Sequence, residues 1–212
     1  MRKIIILLTP LFLLATVSAK AEFGYGLTLA HHMIDGDGTE TTRQSSQKNT
    51  GTHSHNVTVP ELFIESIAEN GFTFGLSWIP TREMGSKSRT DTNSGGDTGT
   101  YTAKAELNNV IQIYTDIPVG NYPIHVKLGL QHVTVSTLES LNGGSTYPDA
   151  DILGTTVGIG TKGDLPFGNS MYYKLEATYT DFETLSADSS ANNKLEADLD
   201  DTAVKLSLGK KF

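Results

Sequence analysis

From Glu22 onward, apolar residues alternate with polar or small ones over stretches of about ten residues, and a period of two predicts β-strands. The first strand sets Phe23, Tyr25, Leu27 and Leu29 against Gly24, Gly26, Thr28 and Ala30. A second, over Val57–Ala68, has Pro60, Leu62 and Ile64 on one face and Glu61, Phe63 and Glu65 on the other. Glu69-Asn70-Gly71 is a tight-turn signal. It leads into a third strand, where Phe72, Phe74, Leu76 and Trp78 oppose Thr73, Gly75 and Ser77. The fourth, Tyr101 to Asp116, reads as one unbroken alternation: Ala103, Ala105, Leu107, Ile111 and Ile113 against Lys104, Glu106, Asn108 and Gln112. Four more follow, through Ile124–Gln131, Leu153–Gly160, Tyr173–Thr180 and Val204–Gly209, which makes eight.

The connections alternate between long and short. Asp35–Asn56, Arg82–Thr100, Ser136–Asp151 and Thr184–Asp201 are polar and rich in Gly, Ser, Thr, Asn and Asp, whereas the three between them are tight turns. A transmembrane barrel sorts its connections this way, with short turns in the periplasm and longer loops outside, and an even strand number returns both termini to one side. In hydrocarbon every backbone group must be paired, which a closed barrel achieves. The expected fold is therefore all-β, an eight-stranded, antiparallel, up-and-down transmembrane β-barrel. A soluble periplasmic β-sandwich is the alternative.

The ends sharpen this picture. Arg2 and Lys3, an apolar run from Ile4 to Val17, and the small residues Ser18, Ala19 and Ala21 form a secretory signal peptide. The run is too short for a spanning helix and is broken by Pro10. Residues 1–21 are thus expected to be removed, leaving 22–212 as the barrel domain. Losing Arg2, Lys3 and Lys20 reduces 16 basic residues to 13 against 24 acids, so nucleic acid is excluded as a partner. There is no cysteine, hence no disulfide, in an exported chain.

The chain finishes Val204-Lys205-Leu206-Ser207-Leu208-Gly209-Lys210-Lys211-Phe212. Alternating apolar residues ending in Phe resemble the C-terminal signature of bacterial outer-membrane proteins, and with the eight strands the mature chain resembles the small OmpA/OmpX-like barrel families. It departs from their pattern at Lys210. The resemblance implies a bacterial outer-membrane location, Val204, Leu206, Leu208 and Phe212 as a signal for the barrel-assembly machinery, contact with outer-membrane lipid and lipopolysaccharide, and a monomer without cofactor.

An eight-stranded barrel is just wide enough for side chains to fill. The faces read above turn Glu61, Glu65, Lys104, Glu106, Lys127, Lys174, Glu176 and Lys205 inward, four acids and four bases. Opposite charges that pair avoid the cost of burying one alone, so a structural ionic plug in a polar lumen is expected. The rival is a gate that passes small ions. His53-Ser54-His55 places two imidazoles two residues apart, too few for a metal site. Asp35-Gly36-Asp37-Gly38-Thr39-Glu40 hints at a calcium loop but lacks EF-hand spacing. Glu196, Asp198, Asp200 and Asp201 form an acidic cluster in an expected external loop. His31, His32 and His132 lie near strand ends, and with Ser66, Ser77, Ser136 and Ser207 they make no arrangement that specifies acyl transfer. The expected role is non-enzymatic, structural or surface-interacting. A narrow solute channel and a lipid-modifying enzyme are the alternatives.

Overall fold

The computed structural model describes residues 21–43, 46–91, 99–140, 146–166, 170–190 and 192–212. Most of the first expected segment, residues 1–20, lies outside them. Among the described residues there are ten strands: β1 (Ala21–Thr41), β2 (Lys48–Ala68), β3 (Thr73–Ile79), β4 (Arg82–Asp91), β5 (Gly99–Pro118), β6 (Ile124–Ser140), β7 (Ala150–Asp164), β8 (Met171–Phe182), β9 (Leu185–Asp188) and β10 (Lys194–Lys211). They fill eight places in an antiparallel ring. β4 continues the path of β3 along β5, β9 continues that of β8 along β10, and β1 pairs with β10 to close the barrel. Closure leaves no edge within the membrane.

Side chains sort as the alternation predicts over most of the ring. Leu27, Leu62, Trp78, Leu128, Val157 and Leu206 stand outward, each about half exposed, as a lipid-facing belt. The C-terminal residues Val204, Leu208 and Phe212 are on that side too, with the Phe212 ring stacked on Tyr25 at 5.2 Å between centroids.

Three departures have identifiable causes. First, three of the four segments expected to be long loops, Asp35–Asn56, Arg82–Thr100 and Thr184–Asp201, are largely strand. β1 and β2 pair continuously out to Thr41 and Lys48, and the calcium-like stretch Asp35–Glu40 lies inside this ladder. Water-exposed strands need no apolar face, so their pattern reads as loop.

Second, β5 is not one unbroken alternation. Its register against β6 jumps between Asn108 and Ile111, and Asn109 sits at φ 52°. Leu107 and Val110 are both fully buried although they are three apart. This β-bulge inverts the phase of everything before it.

Third, the ring divides on the long-loop side. β2 pairs with β3 only from Leu62 to Ile67, and extending that register sets Pro60 opposite Pro80. Neither proline has an N–H to give. Beyond them, among the described residues, β4 is laddered to β5 alone. On the far side, the β7–β8 ladder ends at Gly154↔Phe182 and β9 is laddered to β10 alone. The half on the long-connection side is therefore two facing leaves, β9-β10-β1-β2 and β4-β5-β6-β7. Between them lies an apolar layer: Ile34, Val59, Leu185 and Leu199 from one leaf meet Leu107, Val110, Val133, Val135 and Ile152 from the other, above Ile79 and Phe182. Burying each such side chain is worth about 1.5–3 kcal/mol.

Candidate functional site in the lumen

Two ionic groups fill the lumen beneath the apolar layer. The lower one, near the short turns, centres on Glu65. Its carboxylate accepts from the Tyr172 and Tyr114 hydroxyls, each at 2.6 Å, and from Lys174 Nζ at 2.8 Å. Both rings need space that inward glycines provide. A Cβ on Gly75 would collide with the Tyr114 ring, and one on Gly209 with that of Tyr172. Lys127 bridges Asp116 at 3.1 Å and Glu176 at 3.0 Å, and its ammonium lies 3.6 Å from the Tyr114 ring centroid. His125 Nε2 meets Glu176 at 2.9 Å, and Lys174 also reaches Asp116 at 3.4 Å.

A neutral band lies above. Gln112 and Gln131 donate to Thr156 at 3.0 and 3.2 Å, and Gln131 donates again to Thr180 at 3.1 Å.

The upper group joins β1, β2, β10 and the first residue of β4. Lys205 donates to both Glu61 oxygens at 2.9 and 3.0 Å. The two nitrogens of His32 face carboxylates, Glu61 at 3.0 Å and Asp201 at 2.8 Å, and Arg82 Nη2 donates to Asp201 at 3.0 Å. All these side chains are buried.

Six of the eight charges expected in the lumen, Glu61, Glu65, Lys127, Lys174, Glu176 and Lys205, are brought together here. Lys104 and Glu106 are not. They precede the β5 bulge and form a part-exposed cluster with Glu83, at 2.7 Å from each other and 3.0 Å from Lys104 to Glu83. The sequence reading missed His32, Arg82, Asp116, His125 and Asp201. Asp201 belongs to the lumen and not with Glu196, Asp198 and Asp200, because alternation along β10 turns it inward. The lumen is also not polar throughout, since the apolar layer occupies the half on the long-connection side.

The chemistry open to these groups is limited. Asp116, His125 and Glu176 hold ligand-type atoms within 4.8 Å of one another, but the Lys127 ammonium already sits between the two carboxylates, where a cation would go. Of the serines considered as nucleophiles, Ser77 bonds Gln112, Ser136 accepts from Asn108 and Ser207 pairs with Thr28. His31 meets Thr58 and not a serine. His53 and His55 stack with centroids 6.5 Å apart. The His53 ring lies over Gly85, at the edge of a cavity of about 370 Å³. That cavity sits between the two leaves above the apolar layer, floored by Ile34, Met84 and Leu199 and walled partly by Gly36 and Gly51.

No protein-family model matches the chain, and no curated protein matches its sequence. Solved structures do match. The outer membrane protein OprG from Pseudomonas aeruginosa aligns over 92% of this chain and 97% of its own, with TM-score 0.54 and 15% identity. Ail, the attachment invasion locus protein of Yersinia pestis, aligns over 88% and 99% with TM-score 0.38 and 13% identity. The outer membrane protease OmpT from Escherichia coli aligns over 93% and 100% with TM-score 0.47 and 10% identity. At 15% identity the match to OprG shows a likeness of fold alone, that of the bacterial outer-membrane β-barrels.

Proposed function

We propose that this eight-stranded outer-membrane barrel is a non-enzymatic protein whose membrane-embedded half is a closed support and whose extracellular half carries the interactions. The observation behind this reading is the filling of the lumen. Charged, neutral and apolar layers follow one another along the axis, and their side chains are almost fully enclosed. Ion passage would require breaking buried pairs, each costing about 3–5 kcal/mol when one partner is lost. What remains available to partners is the pair of leaves and their connections, where function in such proteins resides. Lipid and lipopolysaccharide around the belt, the assembly machinery at β10, and a monomeric state are the associations this reading carries.

Reconstitution into planar bilayers tests it. The expected record has no steady unitary current. A steady conductance that changes with Lys174→Met would replace the plug with a gate. The cavity above the apolar layer supports a second reading, a receptor for a small apolar ligand arriving from outside, because its floor is apolar and its walls carry little side chain.

A further inference from the structure

We propose that His53 and His55 of β2 and Glu83 of β4 bind one divalent transition-metal ion, of the zinc or copper type, which ties the two leaves together where their pairing is interrupted. The chain by itself offers two ligands, because His53-Ser54-His55 sets two imidazoles on one face of an extended strand. Folding supplies the third.

Beyond Pro60 and Pro80, β2 and β4 face each other without a ladder between them. They come into contact at Gly85, whose missing side chain lets the His53 ring rest on the β4 backbone. A Cβ there would collide with His53 Nε2. Since β4 continues β3, which is antiparallel to β2, a step from His53 to His55 runs from Gly85 back toward Glu83. Glu83 accordingly stands within electrostatic reach of His55.

The two rings are nearly parallel, 14° apart, with centroids at 6.5 Å. Among the described residues neither imidazole has a hydrogen-bond or salt-bridge partner, whereas His31, His32 and His125 all do. Each neutral ring therefore has a lone pair to give. To converge on an ion at about 2.0–2.1 Å the rings must turn out of their stacked pose. His53 is exposed and His55 half-buried, so the turn is made against water and not against a packed core. Glu83 is held by Lys104 at 3.0 Å, but Lys104 keeps Glu106 at 2.7 Å. The carboxylate can thus swing to a cation without stranding the ammonium. With two carboxylates to one ammonium, this cluster also has a negative charge in excess.

The donor set selects the ion. Two imidazoles and one carboxylate suit zinc, copper or nickel, whereas calcium and magnesium require shells rich in oxygen. The position left over faces the cavity of about 370 Å³ that His53 borders, from which water completes the shell. A bound ion crosslinks β2 to β4 beside that cavity, above the prolines that break their ladder.

The mature barrel, folded in detergent and stripped with a chelator, is titrated calorimetrically with Zn²⁺. The expected result is one ion per barrel and no binding heat with Mg²⁺ or Ca²⁺. His53→Ala and His55→Ala should each weaken Zn²⁺ by about tenfold or more, and Glu83→Gln by about fivefold or more. His132→Ala, a histidine on the outer wall, should leave it unchanged. Saturating Zn²⁺ should also slow cleavage of β4 by added protease by about fivefold or more, a protection that Glu83→Gln loses. A heat-modifiable gel band shows that each variant is folded. Zn²⁺ bound with equal affinity when both histidines are replaced, or not bound at all by the original chain, would overturn the site. Histidine-dependent binding that Glu83→Gln leaves at full strength would overturn the link between the leaves.

Discussion

Below Gln112 the lumen is filled by charged pairs inside a continuous ring, and above Ile79 it is filled by apolar side chains between two leaves that share no ladder. The difference follows from the surroundings of each half. The lower ring stands in lipid, where burying an apolar side chain gains little because the outside is equally apolar. A polar lumen instead fixes which face points in. Slipping β8 or β10 by one residue would drive Lys174 or Lys205 into hydrocarbon, at about 2–4 kcal/mol for each lysine near the midplane. The upper half stands in water, so its apolar layer gains the full hydrophobic effect and can hold the leaves together where Pro60 and Pro80 interrupt their pairing. The ionic layers supply register, and the apolar layer supplies cohesion.

The largest expected effect lies in the lower half. Glu65→Ala removes the acceptor of two tyrosines and a lysine at once and leaves the Lys174 charge poorly compensated. It should cost about 3–5 kcal/mol in reversible urea unfolding of the barrel in lipid. A loss below about 1 kcal/mol would mean that the pairs are incidental to register and that the contrast is wrong. Next comes Leu107→Ala in the apolar layer, expected to cost about 2–5 kcal/mol. Its signature separates it from the first. The ring should remain heat-modifiable, while protease applied from outside cuts more readily in β4 and the start of β5. If both variants loosened the whole barrel equally, the halves would form one cooperative unit.

Much of this contrast was legible in the chain. Alternation alone placed Glu61, Glu65, Lys127, Lys174, Glu176 and Lys205 on one face because their strands are regular and each has at least one Leu, Val or Ile as an outward neighbour. The same rule misplaced Lys104 and Glu106, because one bulge at Asn108–Val110 inverts the phase and a bulge leaves no periodic mark. Arg82 was assigned to a loop because only two residues, Pro80 and Thr81, separate β3 from β4, and that break looks like a strand end. His32 and Asp201 were visible as residues but not as partners, since they are 169 positions apart and meet only when β1 closes on β10. The apolar layer went unseen for a related reason. Its members come from seven strands, each giving one or two residues to a stretch that otherwise reads as polar.

The smallest effect tests how far the leaves are held from above. Glu40, near the end of β1, accepts from the Tyr147 hydroxyl at 2.7 Å, from Asn193 Nδ2 at 3.1 Å and from Asn49 Nδ2 at 3.5 Å. It thereby ties the β1–β2 hairpin to the connections before β7 and before β10. Tyr147 belongs to the connection into β7 and Asn193 to the one into β10, so this carboxylate links the leaves across the mouth. The Tyr147 hydrogen bond, helped by those of Asn193 and Asn49 and opposed by partial burial, holds the Glu40 carboxyl below its ordinary value of 4.5. A depressed carboxylate contributes stability that is fully present above the ordinary value and is lost as pH falls through the lowered one. Because the site is washed by water, the contribution is about 1 kcal/mol or less. Amide exchange near Tyr147 and Asn193, corrected for the intrinsic effect of pH, should therefore be slow and level at neutral pH and accelerate in acid below the ordinary carboxylate value. Glu40→Gln should exchange at one intermediate rate throughout, since an amide cannot titrate. Identical acid acceleration in that variant would place the link elsewhere and leave the apolar layer to hold the leaves alone.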